Sequence, residues 1–259
     1  MNTRPQLALL IGILALAVLI PGAASAGTIT KFLTIQVYQV CDNSGNNCAS
    51  LGPAGDAYFN AETNKIWNQA GIGVGFNFAG TFNSTLFSTI DDTVGSGHTF
   101  QDLQALYGGT STTTVDMFLV HNIDSNSVYG ESWLGSGGLA MNMDLVMAYN
   151  GGLGRIDTIA HELGHNFGLV PTSLGGDAGH HSNNTHPDYL MADGGWRNVP
   201  NTSGDIWPDG LRLDKLPADQ IALARQSSLL QDVTPEPASM ALFGSGALAL
   251  LMIRRRRSA

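Results

Sequence analysis

The amino-acid sequence predicts an α+β (mixed α/β) fold, a twisted mixed sheet with helices packed on it. Runs rich in β-branched and aromatic residues alternate with runs of helical period, and after the last strand come helix and loop. The stretch from Gly27 to Asp232 holds no internal repeat and no long linker, and is long enough for one domain with a sizeable core.

Thr28 to Val40 carries Ile29, Phe32, Thr34, Ile35, Val37, Tyr38 and Val40, and reads as a first strand. Ala54 to Ala70 places Tyr58, Phe59, Ile66 and Trp67 at amphipathic spacing, a helix ended by Gly71. Ile72 to Phe78 alternates and predicts the next strand. Thr99 to Tyr107 predicts a short helix carrying Phe100, Leu103 and Leu106. Val115 to Val120 is almost continuously apolar, as a central strand would be. Leu139 to Tyr149 follows a glycine-rich turn and reads as another strand, with an exposed edge over Leu139 to Met143 that a peptide could join. Arg155 to Phe167 and Pro217 to Leu230 read as helices, the latter with Pro217 in its first turn.

Both ends of the chain read as addresses. Arg4 precedes an apolar run from Leu7 to Ile20, followed by Pro21-Gly22 and the small-x-small segment Ala24-Ser25-Ala26. That is the layout of a secretory signal peptide, residues 1–26, with a mature chain beginning at Gly27. At the other end, Pro235-Glu236-Pro237 precedes an apolar stretch from Ala238 to Ile253 and the cluster Arg254 to Arg257. The stretch would just about cross a hydrocarbon core, with the arginines on the cytoplasmic side. This three-part order over residues 233–259 resembles the PEP-CTERM sorting tail of Gram-negative bacteria. The resemblance implies an exosortase-like partner that cuts the tail. Membrane contact is then expected only through the signal peptide and the tail, and the product is secreted or held at the cell surface.

Between Gly27 and Pro237, seven Lys and Arg stand against 21 Asp and Glu, a net charge of −14, and no Lys or Arg occurs between Lys65 and Arg155. Such a surface repels phosphate backbones, which sets nucleic acid aside as a partner. Cys41 and Cys48 flank six turn-forming residues and predict a disulfide that closes a short loop in an oxidising compartment.

His161-Glu162-Leu163-Gly164-His165 carries the chemistry. On a helix, residues four apart lie about 40° apart on one face, so the two imidazoles can share one Zn²⁺ and leave it open positions. Glu162 lies about 100° round the helix, where its carboxylate serves as general base toward a metal-activated water. Ile156, Ile159, Ala160, Leu163 and Phe167 form the apolar stripe that holds this helix to the core, and His161, His165 and Gly168 fall nearly opposite. His98 and His121 stand alone and read as structural.

His161-Glu-x-x-His165-x-x-Gly168 with Leu190-Met191 downstream resembles the metzincin signature. The resemblance implies a zincin-like catalytic domain over residues 27–232, a third histidine ligand, and Met191 in a turn beneath the metal. Pro171 occupies the position of the family's third histidine, so His180, His181 and His186 are the candidates. The stretch from His181 through Pro187 to Leu190-Met191 resembles the family's spacing, and His181 is the expected ligand. The activity implied is an exported zinc-dependent endopeptidase acting on protein or peptide substrates. The second reading, supported by Pro171, is a non-catalytic surface or matrix protein that keeps the fold. The many aspartates do not by themselves indicate calcium.

Overall fold

The computed structural model describes residues 28–53, 57–93, 95–109, 111–170, 186–192 and 195–233. The expected signal peptide, the body of the tail, Pro171, His180 and His181 lie outside them.

β1 (Lys31–Cys41) runs into the Cys41–Cys48 disulfide, as expected, and the loop between is fastened by Asp42, whose carboxylate accepts from Ser44 and Asn46. A 3-10 turn at Ala57–Phe59 leads to α1 (Asn60–Trp67) and a second turn at Asn68–Ala70, closed by left-handed Gly71. The single helix expected over Ala54 to Ala70 is therefore interrupted, because Tyr58 and Phe59 both take positive φ. β2 (Ile72–Asn83) and the short β3 (Thr89–Ile90) follow. α2 (Phe100–Tyr107) starts in a capping box between Thr99 and Asp102. Then come β4 (Thr114–Val120), β5 (Asn122–Ile123), β6 (Gly130–Ser132) and β7 (Gly138–Asn142).

The strand expected over Leu139 to Tyr149 is only half a strand. Asn142 caps α3 (Met143–Ala148) by accepting from Leu145 N at 3.0 Å, and the apolar run turns helical there. α4 (Thr158–Asn166) carries the histidines, and α5 (Ala218–Ala224) and β8 (Gln231–Asp232) close the chain. The last helix is shorter than expected and ends at Ala224.

The main sheet has the order β2-β1-β4-β7-β6. Its first four strands are parallel and β6 pairs antiparallel to β7, while β8 pairs with Lys31 and Phe32 of β1. β7 is thus enclosed by β4 and β6. Its expected exposed edge is corrected by this order, and β6 is the outermost strand on that side among the described residues. Alternation divides the core. Val115, Met117 and Leu119 of β4 pack with Ile66 and Trp67 of α1, with Ile159, Ala160 and Leu163 of α4, and with Phe167 just beyond it. Phe118 and Val120 point the other way, onto Phe100 and Leu103 of α2. Trp67 meets Phe167 edge-on, with ring centres 4.7 Å apart, and donates to the Ala160 carbonyl at 3.2 Å, so α1 and β4 fix the back of α4.

Candidate metallopeptidase centre

The predicted stripe Ile156, Ile159, Ala160, Leu163 and Phe167 is buried throughout, which turns His161, Glu162 and His165 toward a cleft of about 980 Å³. The two rings lie 5.1 Å apart, centre to centre, and nearly perpendicular. α4 stops as expected at Gly168, whose φ of +91° is costly for other residues. Gly168 N donates to His165 O and Leu169 N to Gly164 O, a Schellman closure. This reversal puts the Leu169 carbonyl 2.8 Å from His165 Nδ1.

Met191 lies in the turn Tyr189–Ala192 and is fully buried beneath α4. A Cβ on Gly164 would stand 2.3 Å from Met191 Sδ, so the glycine between the two histidines is what lets the methionine approach. The same turn brings the Leu190 carbonyl to 2.7 Å from His161 Nδ1. Each imidazole therefore faces a carbonyl at Nδ1. A ring that donates there keeps its lone pair on Nε2, the form that ligates a metal.

Glu162 crosses to the edge strand. Its Oε2 accepts from Ser132 Oγ at 2.8 Å, and its Cγ lies where a Cβ on Gly130 would intrude at 2.8 Å. Burial pushes its carboxyl up from the ordinary range, against the pull of His165, the Ser132 hydroxyl and the two arginines Arg197 and Arg155. Asn166, one turn on from Glu162, sends its amide into the carbonyls of Trp133, Ser136 and Gly138 at 2.7–2.9 Å, which straps the β6–β7 hairpin to the helix. Beside Glu162 the cleft wall carries Asp92, Asp102 and Glu131, with Phe100 stacked on Trp133. Burial and the neighbouring Asp92 push the Glu131 carboxyl up to about 8.

Among the described residues, no group of three or more His, Cys, Asp or Glu is placed to hold a metal. The helix supplies two imidazoles, and the expected third ligand, His181, falls outside the described residues. His186 is described, and it stacks on Tyr189 with ring centres 4.6 Å apart. His98 and His121, expected to be structural, each make a hydrogen bond away from the histidine pair of α4. Their Nδ1 atoms lie 3.0 Å from Thr89 O and from Asp144 Oδ1 respectively. A second cleft, of about 1020 Å³ between α1 and α5, contains no group of the histidine motif.

Residues 57–171 match the family described as Metallo-peptidase family M12B Reprolysin-like. Over that stretch the chain is similar to reprolysin-like metallopeptidases. The match runs from the 3-10 turn before α1 to Pro171, five residues past the end of α4, and stops before the Met191 turn. Residues 233–257 match the PEP-CTERM protein-sorting motif, which indicates export and sorting to the cell surface or extracellular space. Among the described residues, no helix is long and apolar enough to cross a membrane. No curated protein matches the chain. One solved structure, "Structure of a chaperone-substrate complex", is similar at 12% identity and a TM-score of 0.41, over 78% of this chain. The chain spans about a third (34%) of that one, a likeness too low to bear on function.

Ser132, Gly130, Asn166 and Arg197 join the site without belonging to any motif of the sequence. Asn166 carried a signal, a polar residue one turn beyond Glu162 on a helix otherwise held by apolar packing. Ser132 and Gly130 carried none, since β6 is three residues long.

Proposed function

We propose that the chain is an exported zinc endopeptidase in which His161, His165 and His181 hold the metal and Glu162 is the general base. The observation that carries it is the pairing of both helix imidazoles, at Nδ1, with backbone carbonyls beside a buried carboxylate in one cleft. That donor set suits zinc, and zinc bound there would polarise a peptide carbonyl and bring the pKa of water toward 7. Glu162 takes the proton of the attacking water and returns it to the leaving amine. Ser132 holds the Glu162 carboxylate against the edge strand during both transfers. Substrate lies extended along β6, whose outer edge can accept another strand. The signal peptide and the exosortase-cut tail deliver the domain outside the inner membrane.

The test is metal analysis of the purified protein beside gelatin cleavage with and without chelator. One zinc per chain and cleavage abolished by chelator are expected. Zinc without cleavage would favour the non-catalytic surface protein that Pro171 suggests. His181→Ala should lose metal and activity together, while His180→Ala and His186→Ala keep most zinc. If one of those two empties the site, that residue is the third ligand.

A further inference from the structure

Arg197 lies beneath α4, where nothing in the proposed chemistry requires a positive charge. Its side chain is 1% exposed and pairs through Nη2 with Asp157 Oδ2 at 2.9 Å; the Asp157 side chain is fully buried. Asp157 is the residue on which α4 begins. A buried guanidinium is costly unless its donors are used. The other prong, Nη1, donates to the Leu190 carbonyl at 2.5 Å and closes on His161 Nδ1. That carbonyl is the one 2.7 Å from His161 Nδ1.

The carbonyl and the guanidinium make opposite demands on the ring. A proton on Nδ1 suits the carbonyl, which can only accept, and a bare Nδ1 suits the guanidinium, which can only donate. The guanidinium has a second acceptor within reach, in the carbonyl itself, whereas the carbonyl has no proton to offer. Both lone pairs of Leu190 O are then used, one by Arg197 and one by His161. Arg155 and Asp214 complete the buried charge group: Arg155 Nε lies 3.7 Å from Asp157 Oδ1, and Asp214 lies against Asp157.

We propose that Arg197 is a positioning residue for the candidate metal centre: anchored on Asp157, it holds the Leu190 carbonyl where that carbonyl fixes His161 as the Nδ1-protonated tautomer. The value of this to catalysis rests on reading His161 as a metal ligand. The tautomer itself does not, and can be measured without metal.

The experiment records the ring nitrogen shifts of His161 and His165 in the metal-free, ¹⁵N-labelled protein. The variants are Arg197→Lys and the pair Arg197→Met with Asp157→Asn, which removes both buried charges together. His161 should be Nδ1-protonated in the wild type and a tautomer mixture in the double variant. Arg197→Lys should be intermediate, since an ammonium lacks the fork that reaches both Asp157 and Leu190. His165 should not change, because its carbonyl partner belongs to Leu169. Zinc affinity of the double variant, by chelator competition, should fall about 10–100-fold.

An unchanged His161 tautomer in either folded variant overturns the proposal. So does a bare Nδ1 in the wild type, or an equal change at His161 and His165. Should the double variant not fold, Arg197→Lys decides alone: a shift confined to His161 supports the proposal and no shift overturns it. A wild type that takes up no zinc but shows these tautomers defeats the metal reading and leaves the role of Arg197 standing.

Discussion

The two imidazoles of α4 are one turn apart and are held by different parts of the molecule. His165 leans on the carbonyl of Leu169, four residues on, which Gly168 delivers by reversing the chain. His161 leans on the carbonyl of Leu190, 29 residues on, which arrives only because the Met191 turn docks under Gly164 and Arg197 holds it there. One support travels with the helix and forms when the helix forms. The other exists only in the assembled fold. Geometry at His165 should therefore survive changes elsewhere, whereas geometry at His161 should report on the packing beneath the helix.

The largest expected effect separates chemistry from both supports. Glu162→Gln leaves each imidazole on its carbonyl, so zinc should stay while peptide cleavage falls about 10²–10⁴-fold or more. Metal analysis beside a cleavage assay checks it, and loss of zinc in this variant would mean that Glu162 is itself part of the metal's support. Gly164→Ala attacks the long-range side. Alanine in an open helix position gains about 1 kcal/mol over glycine, but here its methyl meets Met191 Sδ, and overpacking of this kind costs about 1–3 kcal/mol. Thermal unfolding should show a net loss, with weaker zinc binding through displacement of Leu190. A stabilised variant would show that the methionine contact is loose. Gly168→Ala attacks the local side. Among the described residues nothing lies within 4 Å of the added methyl, so the strain comes from the left-handed backbone, about 1–2 kcal/mol. Denaturant midpoints should register that loss, and the His161 ring shifts should not move.

The smallest effect touches neither support. Folding raises Glu131 from 4.5 to about 8, so the folded chain keeps a proton that the unfolded chain releases near 4.5. Stability contributed here falls as pH rises from about 4.5 to about 8, and stays lower above that. Glu131→Gln should flatten the fall and gain on the order of 1 kcal/mol at pH 9, after allowance for solvent screening. Unfolding temperatures from pH 5 to 9 give the comparison, and parallel curves for wild type and variant would contradict it.

What the sequence determined by itself is the part governed by near neighbours along the chain. The apolar stripe of α4, the four-residue spacing of His161 and His165, the reversal at Gly168, and the closing of Cys41 on Cys48 are all short-range patterns, legible from periodicity and turn chemistry. The apolar run from Leu139 to Tyr149 shows where such reading fails. Its residues suit strand or helix equally, and the change at Asn142 is decided by a buried amide that both caps α3 and donates to Val128 O across the fold. Tertiary structure alone decided that β7 is enclosed and β6 forms the edge. It likewise decided that Ser132 meets Glu162, and that Arg197 and the Leu190 carbonyl stand beneath His161. These contacts join residues 7 to 36 positions apart. No local propensity encodes them, because they follow from strand order and from a buried charge meeting the Asp157 carboxylate and the Leu190 carbonyl across the fold.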